Sequence, residues 1–207
     1  MHKVIGRVAI VGGFALVLAA SMTWANDPTR VRGTIEDVKG QTLVVKSRDG
    51  SDVKVTLPDN ALVVGIVNAS ISDIKPGSFI GVTGMPQPDG SQKAVELHIF
   101  PESMRGTGEG HRPWDLRPQS TMTNANVANV EQTVSQVSGR TLTVKYKDGE
   151  KKIVVPPDAP IVSYVPGDKS ELKPGVKIFV AAAEPQPDGT LKASRVSFGK
   201  NGLTPPM

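Results

Sequence analysis

The residues that could bind a metal ion are few, and most lie in one short segment. Glu109, His111 and Asp115 are close neighbours in the chain, which contains no cysteine. Imidazole and carboxylate groups together bind several borderline divalent metals, so these three side chains are the candidate ligands of a metal site. The other histidine in the body of the chain, His98, lies in a stretch that alternates apolar and polar residues. A surface or half-buried imidazole is the ordinary prediction there.

The same segment carries residue types that often anchor binding surfaces. Arg112 and Arg117 flank Trp114 and Asp115, and tryptophan and arginine are enriched among the residues that contribute most to interface energies. These four residues are therefore a candidate site for a ligand or a protein partner. A structural role is also open, in which Trp114 fills a groove between two domains while Arg112 or Arg117 pairs with Asp115.

The usual catalytic patterns are missing from the sequence. There is no Gly-x-Ser-x-Gly elbow, and neither histidine has a convincing serine and aspartate to complete a triad. The glycine-rich residues 106–110 lack the Lys-Ser/Thr pair and the following helix of a phosphate-binding loop. Asp89 and Asp188 lie in Pro-Asp-Gly turns, where aspartate supports the backbone. We therefore predict a protein that is not an enzyme and needs no cofactor.

An internal duplication defines the elements that must position these residues. Residues 34–63 align with 133–162, and 13 of the 30 positions are identical. The identities concentrate at turns, which indicates a duplicated fold instead of a shared composition. The repeated turns are Asp49-Gly50 with Asp148-Gly149, residues 75–77 with 173–175, and residues 86–90 with 185–189.

Each repeat consists of short β-forming stretches separated by tight turns. Residues 42–46 (Thr-Leu-Val-Val-Lys) precede an Asp-Gly hairpin signal, and residues 53–57 alternate apolar and polar as a half-buried strand does. Short strands about every 8 to 12 residues indicate a small antiparallel barrel or sandwich. We predict an all-β protein of two tandem small antiparallel β-barrels, OB-like and related by the duplication, joined by a long loop. A single sandwich built from both repeats is the alternative.

The turn pattern also predicts boundaries. They are a signal peptide over residues 1–25, a first barrel over 26–100, a Gly- and Pro-rich linker with the His-Arg-Pro-Trp-Asp segment over 101–128, a second barrel over 129–200 and a frayed tail over 201–207. The alignment makes Val55 the counterpart of Val154 and Val53 the counterpart of Lys152. Lys152 breaks the apolar pattern, so it lies at the barrel mouth or the alternation of its strand begins one residue later.

Composition limits the class of partner. The formal net charge is +4 with both signs interspersed, and aromatic residues make up only 4% of the chain. The chain therefore lacks the basic stripe that nucleic-acid binding needs, and no nucleic-acid partner is predicted. Each repeat is small, and no cysteine is present to staple it. We therefore expect the two units to support each other by packing.

The turn pattern of both repeats, Gly-x-Thr-Leu-x-Val-Lys followed by Asp-Gly, Lys-Pro-Gly and Pro-Asp-Gly, resembles the exported bacterial domain family of unknown function numbered 5666. The resemblance covers residues 31–100 and, more loosely, 130–199. It implies a small β-barrel and an envelope location, and it supplies no catalytic residues. The predicted function is therefore a non-enzymatic periplasmic protein that binds a ligand or envelope partner or serves as a structural module. Periplasmic metal binding or handling is the alternative.

We predict export and cleavage after Ala25, which would leave no membrane span. His2, Lys3 and Arg7 form a basic start, residues 8–20 are apolar and uncharged, and Thr23-Trp24-Ala25 offers a small-residue cleavage site. Mass spectrometry of the envelope fraction should find Asn26 at the N-terminus. An intact Met1 on membrane-bound protein would instead show an uncleaved anchor.

Overall fold

The computed structural model describes residues 28–132 and 139–207, so the predicted signal peptide lies outside the described residues. Every regular element in these ranges is a β-strand or a short 3₁₀ turn, which confirms the all-β class. They contain no helix with the length and apolar character needed to cross a membrane. In chain order the strands are β1 (Thr29–Lys39), β2 (Thr42–Ser47), β3 (Asp52–Thr56), β4 (Leu62–Asn68), β5 (Phe79–Pro86), β6 (Gln92–Ile99), β7 (Gly110–Pro113), β8 (Thr121–Gln132), β9 (Arg140–Tyr146), β10 (Gly149–Val155), β11 (Ile161–Pro166), β12 (Lys177–Pro185), β13 (Leu191–Lys192) and β14 (Arg195–Gly199).

The first three strands belong to a closed ring of five, which we call barrel 1. β1, β2 and β3 form the antiparallel meander that their tight turns predict. β3 then pairs in parallel with β13, β13 pairs with β12, and β12 returns to β1 to close the ring. Alternate residues of the strands fill its interior, among them Val31, Val45, Val55 and Val180.

A second ring of five strands, barrel 2, repeats this arrangement. β8, β9 and β10 form the meander. β10 pairs in parallel with β6, β6 pairs with β5, and β5 returns to β8. Its separate apolar core includes Val82, Leu97, Val144 and Ile153.

Neither ring is made from one repeat, which corrects the predicted division into one barrel over residues 26–100 and another over 129–200. Barrel 1 combines β1–β3 of the first repeat with β12 and β13 of the second. Barrel 2 combines β8–β10 of the second repeat with β5 and β6 of the first. The repeats therefore exchange their final strands. The alternation of each strand is the same in either arrangement, so the sequence pattern does not distinguish them.

The chain crosses between the barrels along β4 and β11. These strands lie antiparallel with Ile66 opposite Tyr164, and β14 and β6 flank them in parallel. The resulting four-stranded central sheet has an approximate two-fold axis between Ile66 and Tyr164. After each crossing strand a capped 3₁₀ turn, Ile71–Asp73 or Lys169–Glu171, directs the chain into the next barrel.

The two meanders differ by one residue at a hairpin. Leu43 lies opposite Val55 in barrel 1, whereas its counterpart Leu142 lies opposite Ile153, because the second hairpin is one residue shorter. A one-residue shift exchanges the two faces of a strand. The core positions of β10 therefore begin one residue later than the alignment predicts, and Lys152 is exposed.

The segment predicted as a linker over residues 101–128 contains regular structure. A 3₁₀ turn spans Glu102–Met104, and β7 pairs with β8, which begins at Thr121, inside the predicted linker. The extra length of β8 serves both β7 and β5. The hairpin of β7 with β8 and the pairing of β8 with the more distant β5 give this segment its order, and no local pattern of apolar residues predicts it.

The tail over residues 201–207, predicted as frayed, is packed. Met207 is fully buried, and its backbone carbonyl accepts a hydrogen bond from Nε of Arg32 at 2.9 Å. The Pro205 carbonyl accepts one from Arg48 at 2.7 Å. Met207 belongs to a third apolar cluster, which lies between the barrels on the central sheet. Burial there offsets the entropy lost when the tail is ordered.

We expect the two barrels to unfold together, because neither ring closes without strands from both repeats. Leu43→Ala in barrel 1 and Leu142→Ala in barrel 2 remove equivalent buried side chains. Each should lower the free energy of unfolding by about 2–5 kcal/mol. Urea unfolding followed by circular dichroism and by Trp114 emission should show one coincident transition for each variant. Two transitions, with each variant shifting a different one, would contradict this expectation.

Candidate functional site

A cavity of about 490 Å³ lies where the two barrels meet. Barrel 1 contributes Phe179 from β12, barrel 2 contributes Asn124 from β8, and the central sheet contributes Tyr164. Trp114 of the connecting segment, which is residues 100–120 between β6 and β8, and Met207 of the tail complete the wall. The volume is in the range of pockets that hold small organic ligands.

The two halves of the cavity carry different side chains at equivalent positions. His98 and Ser197 are repeat counterparts, and both line the cavity. His98 lies opposite Gly81, whereas Ser197 lies opposite Phe179. A Cβ atom on Gly81 would lie 2.0 Å from Nε2 of His98. Each half thus pairs one large and one small side chain, and the imidazole fits only because glycine faces it.

A buried carboxyl group supports the imidazole. Glu96 is fully buried, its Oε1 accepts a hydrogen bond from Thr83 at 2.5 Å, and its Oε2 lies 3.2 Å from Nδ1 of His98. A carboxylate only accepts hydrogen bonds, so Nδ1 carries the hydrogen of this contact. Nε2 makes no hydrogen bond with the described residues. Phe100 and Tyr164 enclose the ring, with centroids 5.0 and 5.4 Å away.

Trp114 joins the connecting segment to barrel 1. The segment is held on barrel 2 because β7 pairs with β8. The half-buried indole ring then packs against β1, where the Arg30 guanidinium lies 4.1 Å from its centroid, and edge-on against Phe179 of β12. The structure therefore places Trp114 in a groove between two barrels. A cation over an indole face is electrostatically favourable.

Asp115 also attaches the connecting segment to barrel 1, from a position outside the cavity. It forms ion pairs with Arg32 at 2.7 Å and with Arg30 at 3.7 Å. Burial raises the pKa of Asp115, but the hydrogen bond and charge of Arg32 and the charge of Arg30 outweigh it. The pKa therefore lies below its ordinary value. The predicted pairing with Arg112 or Arg117 is wrong, because the carboxylate faces β1.

The two predicted arginine anchors lie in different places. Arg112 lines the cavity and donates a hydrogen bond from Nη1 to the Gly108 carbonyl at 2.7 Å. Arg117 is exposed and borders a separate depression with Met85 and Asp158. Of the predicted ligand-binding residues, the structure therefore brings Arg112 and Trp114 to the cavity. Asp115 lies behind it and Arg117 lies outside it.

His111 is held in a structural contact. Its Nδ1 lies 2.8 Å from Oγ1 of Thr123, and its ring stacks on Tyr146 with centroids 6.4 Å apart. Burial and the charges of Lys151 and Arg112 lower its pKa, so the imidazole is neutral at neutral pH.

The predicted metal ligands do not form a metal site. Among residues 28–132 and 139–207, no three His, Asp or Glu side chains are grouped so that they could hold an ion. Glu109, His111 and Asp115 are therefore not brought together, and Asp115 is engaged by Arg32. Only His111 lies in β7, whereas Glu109 precedes the strand and Asp115 follows it in the loop that leads to β8, so proximity in sequence does not bring the three side chains together.

Three residues of the cavity region were missed by sequence reasoning, namely Glu96, Tyr164 and Arg195. Burial and the nearby charge of Glu96 raise the pKa of Tyr164, so its hydroxyl stays protonated and can donate. Arg195 occupies the repeat position of Glu96, just as Ser197 occupies that of His98. The sequence did contain a signal for these residues: at two matched positions of the alternating strands the repeats carry unlike polar residues, whereas most other counterparts are similar.

Comparison with protein-family models, with curated proteins and with solved structures found no match. The resemblance of the repeats to the exported family numbered 5666 therefore stays a prediction. Function is inferred from the cavity and the side chains that line it.

Gly81→Ala should destabilise the protein mainly by displacing His98, since the added methyl group would lie 2.0 Å from Nε2. Overpacking of this kind costs about 1–3 kcal/mol. His98→Ser places the counterpart residue opposite position 81 and removes that clash, which leaves the milder 2.7 Å contact with Oδ1 of Asn124. Gly81→Ala should therefore cost much less in the His98→Ser background, as urea unfolding of the four proteins would measure. Equal costs in both backgrounds would show that the imidazole does not fill this space.

Proposed function

We propose that this protein is an exported, non-enzymatic binding protein that takes a small ligand into the cavity between its barrels. The observation that carries the proposal is the cavity itself, about 490 Å³ in volume. Apolar side chains such as Phe100, Met104 and Phe179 line much of it, and a few polar groups converge there. Pockets of this composition are typical of small-molecule sites.

The proposed architecture is a pair of OB-like barrels that share strands. Around barrel 1 the strands follow the order β1-β2-β3-β13-β12, with the only parallel contact between β3 and β13 in that ring. This order supports a five-stranded Greek-key barrel of the OB type, a fold that often binds ligands on its surface. The periplasmic location rests on the predicted signal peptide and on the resemblance of the repeats to an exported family.

Binding is favoured over catalysis by the state of the titratable pair beside the cavity. Both oxygens of Glu96 are engaged, one by Thr83 and one by His98. A buried carboxylate on Nδ1 orients the imidazole, but among the described residues no serine or threonine hydroxyl bonds to Nε2, so the pair lacks a nucleophile to activate. His98 is thereby held as part of the wall.

Binding to the cavity can be tested with N-phenyl-1-naphthylamine, an uncharged fluorescent probe with an apolar body. Ala181 lines the cavity on β12, and Ala181→Phe should fill part of it. We expect the wild-type protein to enhance probe emission saturably, and Ala181→Phe to weaken the affinity about tenfold or more, a loss of about 1.4 kcal/mol. Direct excitation of the probe avoids interference from Trp114.

The matched control is Ala128→Phe, which adds the same side chain at an exposed alanine of β8 outside the cavity. It should bind the probe as the wild-type protein does. The proposal fails if the wild-type protein does not bind the probe, or if both phenylalanine variants bind it equally well.

A further inference from the structure

The charged side chains that line the cavity are all of one sign. Arg30, Arg112 and Arg195 contribute to its wall, and no aspartate or glutamate does. Asp115 neutralises part of this charge, because it pairs with Arg32 and Arg30 outside the cavity. The remaining positive charge is therefore concentrated at Arg112 and Arg195.

Arg195 has no partner among the described residues. It is half-buried, it lies on the face of β14 that carries Ser197, and its guanidinium forms no hydrogen bond or ion pair with residues 28–132 or 139–207. A partly buried guanidinium is costly unless it is paired. A cation left in this state beside a cavity indicates a place for an anionic group.

Unpaired polar atoms point to the same cavity. In the described residues, the buried side-chain nitrogen and oxygen atoms without a hydrogen-bond partner are Nε of Arg30, Nε1 of Trp114 and Oδ1 of Asn124. All three residues line the cavity. Buried polar groups in native proteins are nearly always paired, so these three groups are available to form hydrogen bonds with a molecule that occupies the cavity.

The acceptor atoms lie together beside Gly81. The position of a Cβ atom on Gly81 would be 2.0 Å from Nε2 of His98 and 2.7 Å from Oδ1 of Asn124. Nδ1 of His98 faces Glu96, and in the tautomer that carries its hydrogen on Nδ1 the Nε2 atom is an acceptor. This end of the cavity therefore suits a hydrogen-bond donor, while the arginines suit an anion.

The rest of the wall is apolar and aromatic. Phe100 and Phe179 lie against Tyr164 and Trp114 respectively, and Met104 and Met122 also border the space. A simple inorganic anion would leave this apolar surface in contact with water. An organic anion buries apolar area there, which adds a favourable term of about 25 cal/mol per Å² to the charge interaction.

We infer that the ligand is a small amphipathic anion, an aromatic or aliphatic body with one carboxylate, sulfonate or phosphate group that pairs with Arg195 and is also attracted by the charge of Arg112 in the same wall. This inference rests on the proposed binding function and specifies the chemical class that the cavity accepts. A donor group on the ligand, such as an amide or hydroxyl, would pair with Asn124 and His98.

Two probes that differ only in the anionic group test this inference. N-phenyl-1-naphthylamine and 1-anilinonaphthalene-8-sulfonate share the same rings and N–H donor, and the second adds a sulfonate. We expect the wild-type protein to bind the sulfonate probe about tenfold or more tightly than the neutral probe. Arg195→Gln and Arg112→Gln should each reduce this preference several-fold while affinity for the neutral probe is retained, which also shows that the cavity is intact.

The matched control is Arg117→Gln, which removes the same charge from the connecting segment outside the cavity. It should leave the preference unchanged. An equal preference in wild-type protein and in the Arg195 and Arg112 variants, or tighter binding of the neutral probe, would overturn the inference while the binding function stands. Failure of both probes to bind would overturn the binding function itself.

Displacement separates the amphipathic ligand from a bare anion and from a lipid surface. Monomeric decanoate should displace the sulfonate probe at concentrations where inorganic phosphate does not. Equal displacement by phosphate would overturn the requirement for an apolar body. Displacement by phosphatidylglycerol vesicles but not by monomeric decanoate would overturn the assignment to a free small molecule.

Discussion

The antiparallel pairing of β4 with β11 is the contact on which the rest of the structure depends. These strands carry the chain from one barrel to the other, so their hydrogen bonds decide which final strands close which ring. Because both barrels draw on both repeats, contacts that are distant in sequence hold each of them together. The exchange of strands therefore gives each small core the support from the other repeat that the sequence analysis predicts.

The cavity is a consequence of that exchange. On β6 and β14, residues such as Leu97 and Val196 face the barrel cores, while Glu96, His98 and Ser197 point the other way. In an isolated barrel those outward positions would face water. The crossing strands bring the two outward faces against a common centre, and the polar side chains become buried. The two repeats give this region an approximate two-fold symmetry. Because the side chains at equivalent repeat positions differ, the site itself is asymmetric.

The connecting segment closes one side of this centre by electrostatics as much as by packing. Arg30 and Arg32 of β1 contact both the indole of Trp114 and the carboxylate of Asp115. The cations therefore bind an aromatic face and an anion at once, so the segment is attached to barrel 1 by its side chains and to barrel 2 by its backbone pairing. The same arrangement leaves Arg112 and Arg195 as the charges available at the cavity.

The amino-acid sequence alone predicts the all-β class, the duplication, the meanders and most of their turns, because alternation and Asp-Gly signals act between neighbouring residues. It also singled out Arg112 and Trp114. Tertiary contacts are needed to exchange strands between the repeats, to pair Asp115 with β1 and to bring Arg195 to the same cavity as His98, which Glu96 supports from behind. Strand alternation is a local property, and it is identical whether a strand pairs within its own repeat or with a strand of the other repeat. The choice depends on long-range burial and hydrogen bonding, which leave no local pattern in the chain.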